Sequence, residues 1–235
     1  SMQRGEPTAE SGESSVRAFE HLYRGGAADL DLGFQGWLDA LDERGYSDHG
    51  LHVFISDHGE AFGEHGSFGH GSAVWQEQSQ VPFLVHGPGI APESISDHVS
   101  LIDLPRTAAG LVGVAPHPSW MGRDLGGRAE AAPVFTFQTR KVGGFNDWAV
   151  THGGVKWILS TEQEGEQVAS WIYDLDTDGG ETQNLSDPDN SPDLSADLLD
   201  LMQTVQRRIL DADTVLQLSA EERARLKALG YAGED

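Results

Sequence analysis

The apolar run "LHVFIS" (residues 51–56) ends abruptly at Asp57-His58-Gly59, and this junction constrains the fold more than any other feature. A near-continuous apolar segment of strand length has no polar face to turn toward water. It therefore predicts a buried strand, most simply a parallel one. The segment before it agrees. Leu30, Phe34, Trp37, Leu38 and Leu41 recur at steps of three and four, placing one apolar stripe on a helix over 16–44. Gly45 stands where a C-terminal cap belongs. Helix, short loop and apolar strand make an α/β unit.

Downstream, "VPFLV" (81–85) predicts a second such strand, closed by "HGPG". "DLPRTAAGLVGV" (103–114) predicts a helix with Asp103 as N-cap and Pro105 in its first turn. After "GRDLGGRAEAA" the texture changes. The segments 133–138, 147–152, 154–161 and 169–175 are short, aromatic-rich and joined by turns such as "HGG" and "QEGEQ". Close spacing predicts an antiparallel sheet. Residues 193–210 and the final "SAEERARLKALGYAG" predict two helices, the last with a Ser219/Glu222 capping box. The expected organisation is a polar linker over 1–15, whose "SM" start resembles a tag remnant, an α/β part over 16–129, and a smaller α+β part over 130–235.

Residues 56–71, "SDHGEAFGEHGSFGHG", concentrate the chemistry. Asp57 and His58 follow a strand directly, and the C-terminal edge of an α/β sheet is where such folds place ligands. A carboxylate beside an imidazole offers mixed oxygen and nitrogen coordination suited to a divalent metal. Gly59 lets the chain turn so that both side chains reach one ion. Two ligands are fewer than the three that a catalytic metal usually takes. Five of the ten histidines fall within 49–70, and of these His49 and His52 read as ordinary loop or surface residues.

Composition excludes several functions. Acidic residues outnumber basic ones 38 to 15, for a net charge of −23, which repels phosphate backbones and argues against nucleic-acid binding. The absence of cysteine rules out disulfides, thiolate metal sites and a cysteine nucleophile within these residues. No apolar run approaches the roughly 20 residues of a membrane span.

The string "VFISDHGEAFGEHGSFGHG" with "EQSQVPFLVHGPGI" resembles the C-terminal half of the sulfatase family, in the alkaline-phosphatase superfamily. Other stretches agree in order. "AADLDLGFQGWLDALDERG" resembles the helix before that family's metal strand, and "SLIDLPRTAAGLVGV" its Asp-Leu-X-Pro-Thr helix. "GGVKWIL" and "WIYDLDTDGGETQNLSD" resemble its closing hairpin, and "LSAEERARLKALGYAG" a tail common in bacterial members.

The resemblance implies a sulfatase-like sandwich with a buried mixed sheet, followed by a small antiparallel sheet with C-terminal helices. It implies that Asp57 and His58 are metal ligands and that His70 contacts the substrate oxygen where many members have a Lys. Glu60, Glu64 and His65 match positions that shape the loop or support the ligands, and His86 and Lys156 match structural ones. Calcium is the implied ion for a sulfatase, manganese or zinc for a phosphoester enzyme. The implied substrate is a sulfate ester, or a phosphate ester, carried by a small molecule or glycan. The family's Cys/Ser-X-Pro-X-Arg nucleophile motif and its two further metal carboxylates have no counterpart in the sequence. The implied reading is a sulfatase segment that is inactive by itself and self-associates through an exposed sheet edge. The alternatives are part of a phosphoester or phosphonate hydrolase, part of a phosphoethanolamine-type transferase, or a non-catalytic binding or scaffold module. Localisation stays open among periplasmic, secreted and membrane-anchored.

Overall fold

The structure is a computed structural model that describes residues 9–127, 131–139, 145–162 and 167–186. The two helices expected over 193–210 and at the C-terminus lie outside the described residues.

Helix α1 spans Ala9–Glu43, starting inside the stretch expected to be linker. Its end is the one the sequence indicates. Gly45 takes φ 72°, its N–H bonds the Asp42 carbonyl at 2.9 Å, and the Tyr46 N–H bonds Leu41 at 2.9 Å. This left-handed closure satisfies two carbonyls that would otherwise be orphaned. The C-terminal half of α1 packs its apolar stripe on strand β1 (His52–Ile55), with the rings of Phe34 and Phe54 5.1 Å apart. Residues 21–33 of the same helix are exposed, Leu22, Leu30 and Leu32 among them.

Strand β1 pairs with β4 (Phe83–His86) in register His52 with His86 through Ile55 with Phe83. The pairing is antiparallel, where the apolar run predicts a parallel neighbour, and all four β1 residues are half-buried rather than buried. The reason lies in the connection. A parallel partner needs a crossover, usually helical, of a dozen or more residues. The link here carries a short hairpin, β2 (Ala61–Phe62) with β3 (Phe68–Gly69), then α2 (Gln76–Ser79) of only four residues. The link of 27 residues is long enough for a crossover but carries this hairpin in place of a long helix, and the chain returns beside β1 in the opposite direction.

Helix α3 covers Leu104–Leu111. Asp103 precedes it but does not cap it. Its carboxylate belongs to the 3₁₀ turn Leu101–Asp103, accepting from the Ser100 N–H at 3.0 Å, and binds the Arg123 guanidinium at 2.8 Å. Burial raises the Asp103 carboxyl, but the bonds from Arg123 and Ser100 outweigh it and hold it below the usual carboxylate range.

The aromatic-rich segments form the expected antiparallel sheet in the order β5 (Val134–Thr139), β6 (Phe145–His152), β7 (Val155–Glu162) and β8 (Gln167–Asp174). Its core joins Ala149, Ile158 and Tyr173 to Val74, with Trp75, Trp171 and Leu175 packed against them. Val74 and Trp75 lie just before α2, so the sheet is built directly onto the segment that follows the glycine-rich loop. No described helix is long and apolar enough to cross a membrane.

Candidate active site

At the end of β1, the chain turns through Ser56–Gly59. The Ser56 hydroxyl donates to the His58 carbonyl at 2.8 Å, and the His58 N–H donates to Asp57 Oδ1 at 3.0 Å. His58 Nδ1 lies 2.9 Å from the Gly59 carbonyl, which can only accept, so Nδ1 carries the proton. The other ring nitrogen, Nε2, lies 3.7 Å from Asp57 Oδ2. An imidazole whose far nitrogen is tied to a backbone carbonyl is the usual state of a metal-ligating histidine.

His70 comes from the loop after β3, and its ring stacks on that of His58 with centroids 4.0 Å apart. Its Nδ1 lies 3.1 Å from Glu60 Oε2, and a carboxylate can only accept, so Nδ1 carries the proton of that hydrogen bond. Asp57, His58, His70 and Glu60 thus share one partly exposed wall.

Glu64 and His65 turn elsewhere. Glu64 Oε2 accepts the Phe62 N–H at 2.5 Å and so braces the hairpin. His65 has φ 49° in the 3₁₀ turn Glu64–Gly66 and lies flat on Trp75 with centroids 4.1 Å apart. Its Nδ1 faces Glu77 Oε1 at 2.9 Å and its Nε2 the Glu181 carbonyl at 3.0 Å. Both partners are acceptors, and only the imidazolium can donate to both. Burial pulls the His65 charge down, but the Glu181 carbonyl and the Glu77 carboxylate outweigh it, and its pKa is raised.

Gly59 is required for a reason other than the turn. A Cβ there would meet the Glu77 carbonyl oxygen at 2.2 Å, so the backbone after His58 runs directly against α2. Its N–H donates to the Gln78 carbonyl at 2.9 Å. Sequence reading passed over Glu77, Gln78 and Glu181. They lie inside the family-like stretches quoted above, but no role was legible for them, because their side-chain partners lie 5 to more than 100 positions away.

The donor set fits a divalent cation in part. One carboxylate oxygen and one correctly protonated imidazole converge, but no group of three or more His, Asp or Glu side chains gathers among the described residues. A complete shell needs further donors.

Residues 4–114 match the family model described as Sulfatase. This stretch, 111 of the 235 residues, is similar to the sulfatase family. Among curated sulfatases the chain is similar to the choline-sulfatase of Rhizobium meliloti (strain 1021), 33% identical over 108 residues, covering 44% of this chain and 20% of that one. A solved 2-O GAG sulfatase superimposes with a TM-score of 0.69 at 22% identity, over 91% of this chain and 47% of its own. A second solved protein, bound to its substrate D-glucosamine-2-N,6-O-disulfate, gives a TM-score of 0.62 at 18% identity, over 82% of this chain and 41% of its own. At these identities the solved structures establish the fold. The chain spans about a fifth of the curated sulfatase and less than half of the solved chains.

Proposed function

We propose that the protein belongs to a metal-dependent sulfuric-ester hydrolase, converting a sulfate ester to an alcohol and inorganic sulfate, with residues 57–70 forming one wall of its site. The observation that carries this reading is the convergence of Asp57 Oδ2 and His58 Nε2, with His58 Nδ1 already committed to the Gly59 carbonyl. Asp57 and His58 would hold two positions of a divalent cation, calcium in this reading. Such an ion polarises an ester oxygen and favours an ionised nucleophile when bound. His70, oriented by Glu60, supplies Nε2 as a proton donor or acceptor at the bridging oxygen. The substrate class is a sulfated small molecule or glycan. The nucleophile and the remaining ligands have no candidate among these residues, so the 235-residue chain alone is inactive in this reading.

The test is hydrolysis of 4-nitrophenyl sulfate and 4-nitrophenyl phosphate by the full-length protein from its native gene, with and without His70→Ala. Sulfate-ester turnover at least tenfold above phosphate, lost in the variant, is expected. Faster phosphate cleavage would assign the Glu60–His70 pair to a phosphoester enzyme, with manganese or zinc at Asp57 and His58.

Self-association is part of the same reading. Among the described residues β1 and β4 form a sheet of two strands, and Leu30, Leu32 and Trp37 stay exposed on α1. A mass that rises with concentration in light scattering is expected for the 235-residue chain, and a monodisperse monomer removes this part.

A further inference from the structure

The wall formed by His58 and His70 rests on α2, and α2 is too short to hold itself. Four residues close barely one helical turn, which is unfavourable in isolation. Its anchor comes from the far end of the described chain. Lys156 Nζ donates to the Val74 carbonyl at 2.6 Å and to Gln76 Oε1 at 3.2 Å. Glu181 Oε2 accepts the Gln76 N–H at 2.6 Å, and its Oε1 makes an ion contact with Lys156 Nζ at 2.7 Å. Both side chains are fully buried. The first turn of α2 is therefore gripped from both sides by one ion pair.

Gln78, also buried, passes this grip to the wall through two separate groups. Its backbone carbonyl holds the Gly59 N–H, one residue after His58. Its side-chain Oε1 accepts the N–H groups of Ser72 at 3.1 Å and Ala73 at 3.2 Å, and its Nε2 donates to the Ser72 hydroxyl at 3.1 Å. That segment begins two residues after His70. A buried primary amide is costly unless satisfied, and this one is satisfied only by the chain that carries His70. One residue thus fixes the strand end bearing His58 to the loop bearing His70.

We propose that Gln78 is a positioning residue for the stacked His58–His70 pair, and that the Lys156–Glu181 ion pair sets the register of Gln78. A buried ion pair adds little net stability over an apolar pair of the same shape. What it supplies here is direction, since Lys156 and Glu181 reach only acceptors and donors that α2 and its approach present. The proposal takes from the proposed function the reading of Asp57, His58 and His70 as the reactive wall.

The test follows histidine-ring NMR signals of the full 235-residue chain in wild type, Gln78→Leu and Lys156→Met, each titrated with Mn²⁺ alone. Loss of the His58 and His70 stacking shifts in both variants is expected, with the His52 and His86 signals of the β1–β4 pair unchanged. Mn²⁺ affinity, read from broadening of the His58 ring, is expected to fall about tenfold. Folded variants that keep the wild-type His58 and His70 signals and Mn²⁺ affinity overturn the proposal. If wild type shows no broadening at His58, the metal reading fails, and the ring signals alone still decide the positioning. If a variant does not fold, hydrogen exchange in wild type decides. Joint protection of the Gly59 and Ala73 amides supports the clamp, and unprotected exchange at either overturns it.

Discussion

The proposed reactive wall and the Lys156–Glu181 knot are built on opposite terms. Asp57, His58, Glu60 and His70 sit within fourteen consecutive positions, and the Asp57 side chain is 86% exposed. Lys156 and Glu181 are 25 residues apart, far from α2 in sequence, and their side chains are 1% and 0% exposed. The wall is open to solvent. The knot is sealed from it and, in the positioning proposed above, carries the geometry. Burial pulls the Lys156 ammonium below the usual lysine range, with Glu181 and Glu77 opposing. Removing one partner leaves an uncompensated buried charge. Lys156→Ala is expected to cost about 3–5 kcal/mol in urea unfolding. A loss below about 1 kcal/mol would erase the distinction between the two regions.

Gly59 is where the regions touch, and it sharpens the comparison. It belongs to the wall in sequence but to α2 in packing, since any side chain there collides with the Glu77 carbonyl. Gly59→Ala is expected to behave as a core overpacking change, costing about 1–3 kcal/mol by thermal unfolding. The His58 ring signals should shift with it. A variant with wild-type stability would show that the loop after His58 moves independently of α2.

The pH dependence of stability tests the third joint. His65 faces the Glu77 carboxylate, the Glu181 carbonyl and charge, and the more distant Asp178, while Lys156 reaches the same network through Glu181. Its pKa is raised on folding, so its contribution is complete below the ordinary histidine value of 6.5 and is lost as pH rises through the higher folded value. Stability measured by urea midpoints should fall across that window. In His65→Gln the fall should be absent, with about 1 kcal/mol lost on the acid side. An identical profile in the variant would remove His65 from the clamp.

The difference between the two regions also explains what could be read from sequence. The α1 stripe, the Gly45 cap and the four strands of the β5–β8 sheet follow from local periodicity and turn residues, and each was legible. The direction of β4 was not. An apolar strand announces burial but not the direction of its partner. Among candidate site residues, contiguity made Asp57, His58 and His70 visible. The supports were hidden because Gln78 and Glu181 look like surface polar residues until Lys156 and Ser72 are placed beside them. Asp103 misled for a similar reason. The Asp-Leu-Pro spacing signals a cap, while Arg123, twenty positions on, claims the carboxylate.

Asp57 gives the smallest expected effect on folding, and so the cleanest separation of the two roles. Its carboxylate makes one local bond, from the His58 N–H, and otherwise faces solvent. Asp57→Ala should change stability by no more than about 0.5 kcal/mol, as for an exposed residue free of tertiary partners. If Asp57 is a ligand, the same variant should lose Mn²⁺ broadening at the His58 ring entirely, because a lone imidazole on an exposed turn cannot hold the ion against water. Losing stability as well would mean that the Ser56–Gly59 turn is held by the carboxylate itself. Losing neither would leave His58 stacked on His70 without a metal role, and would turn the wall from a coordination site into a pair of proton carriers.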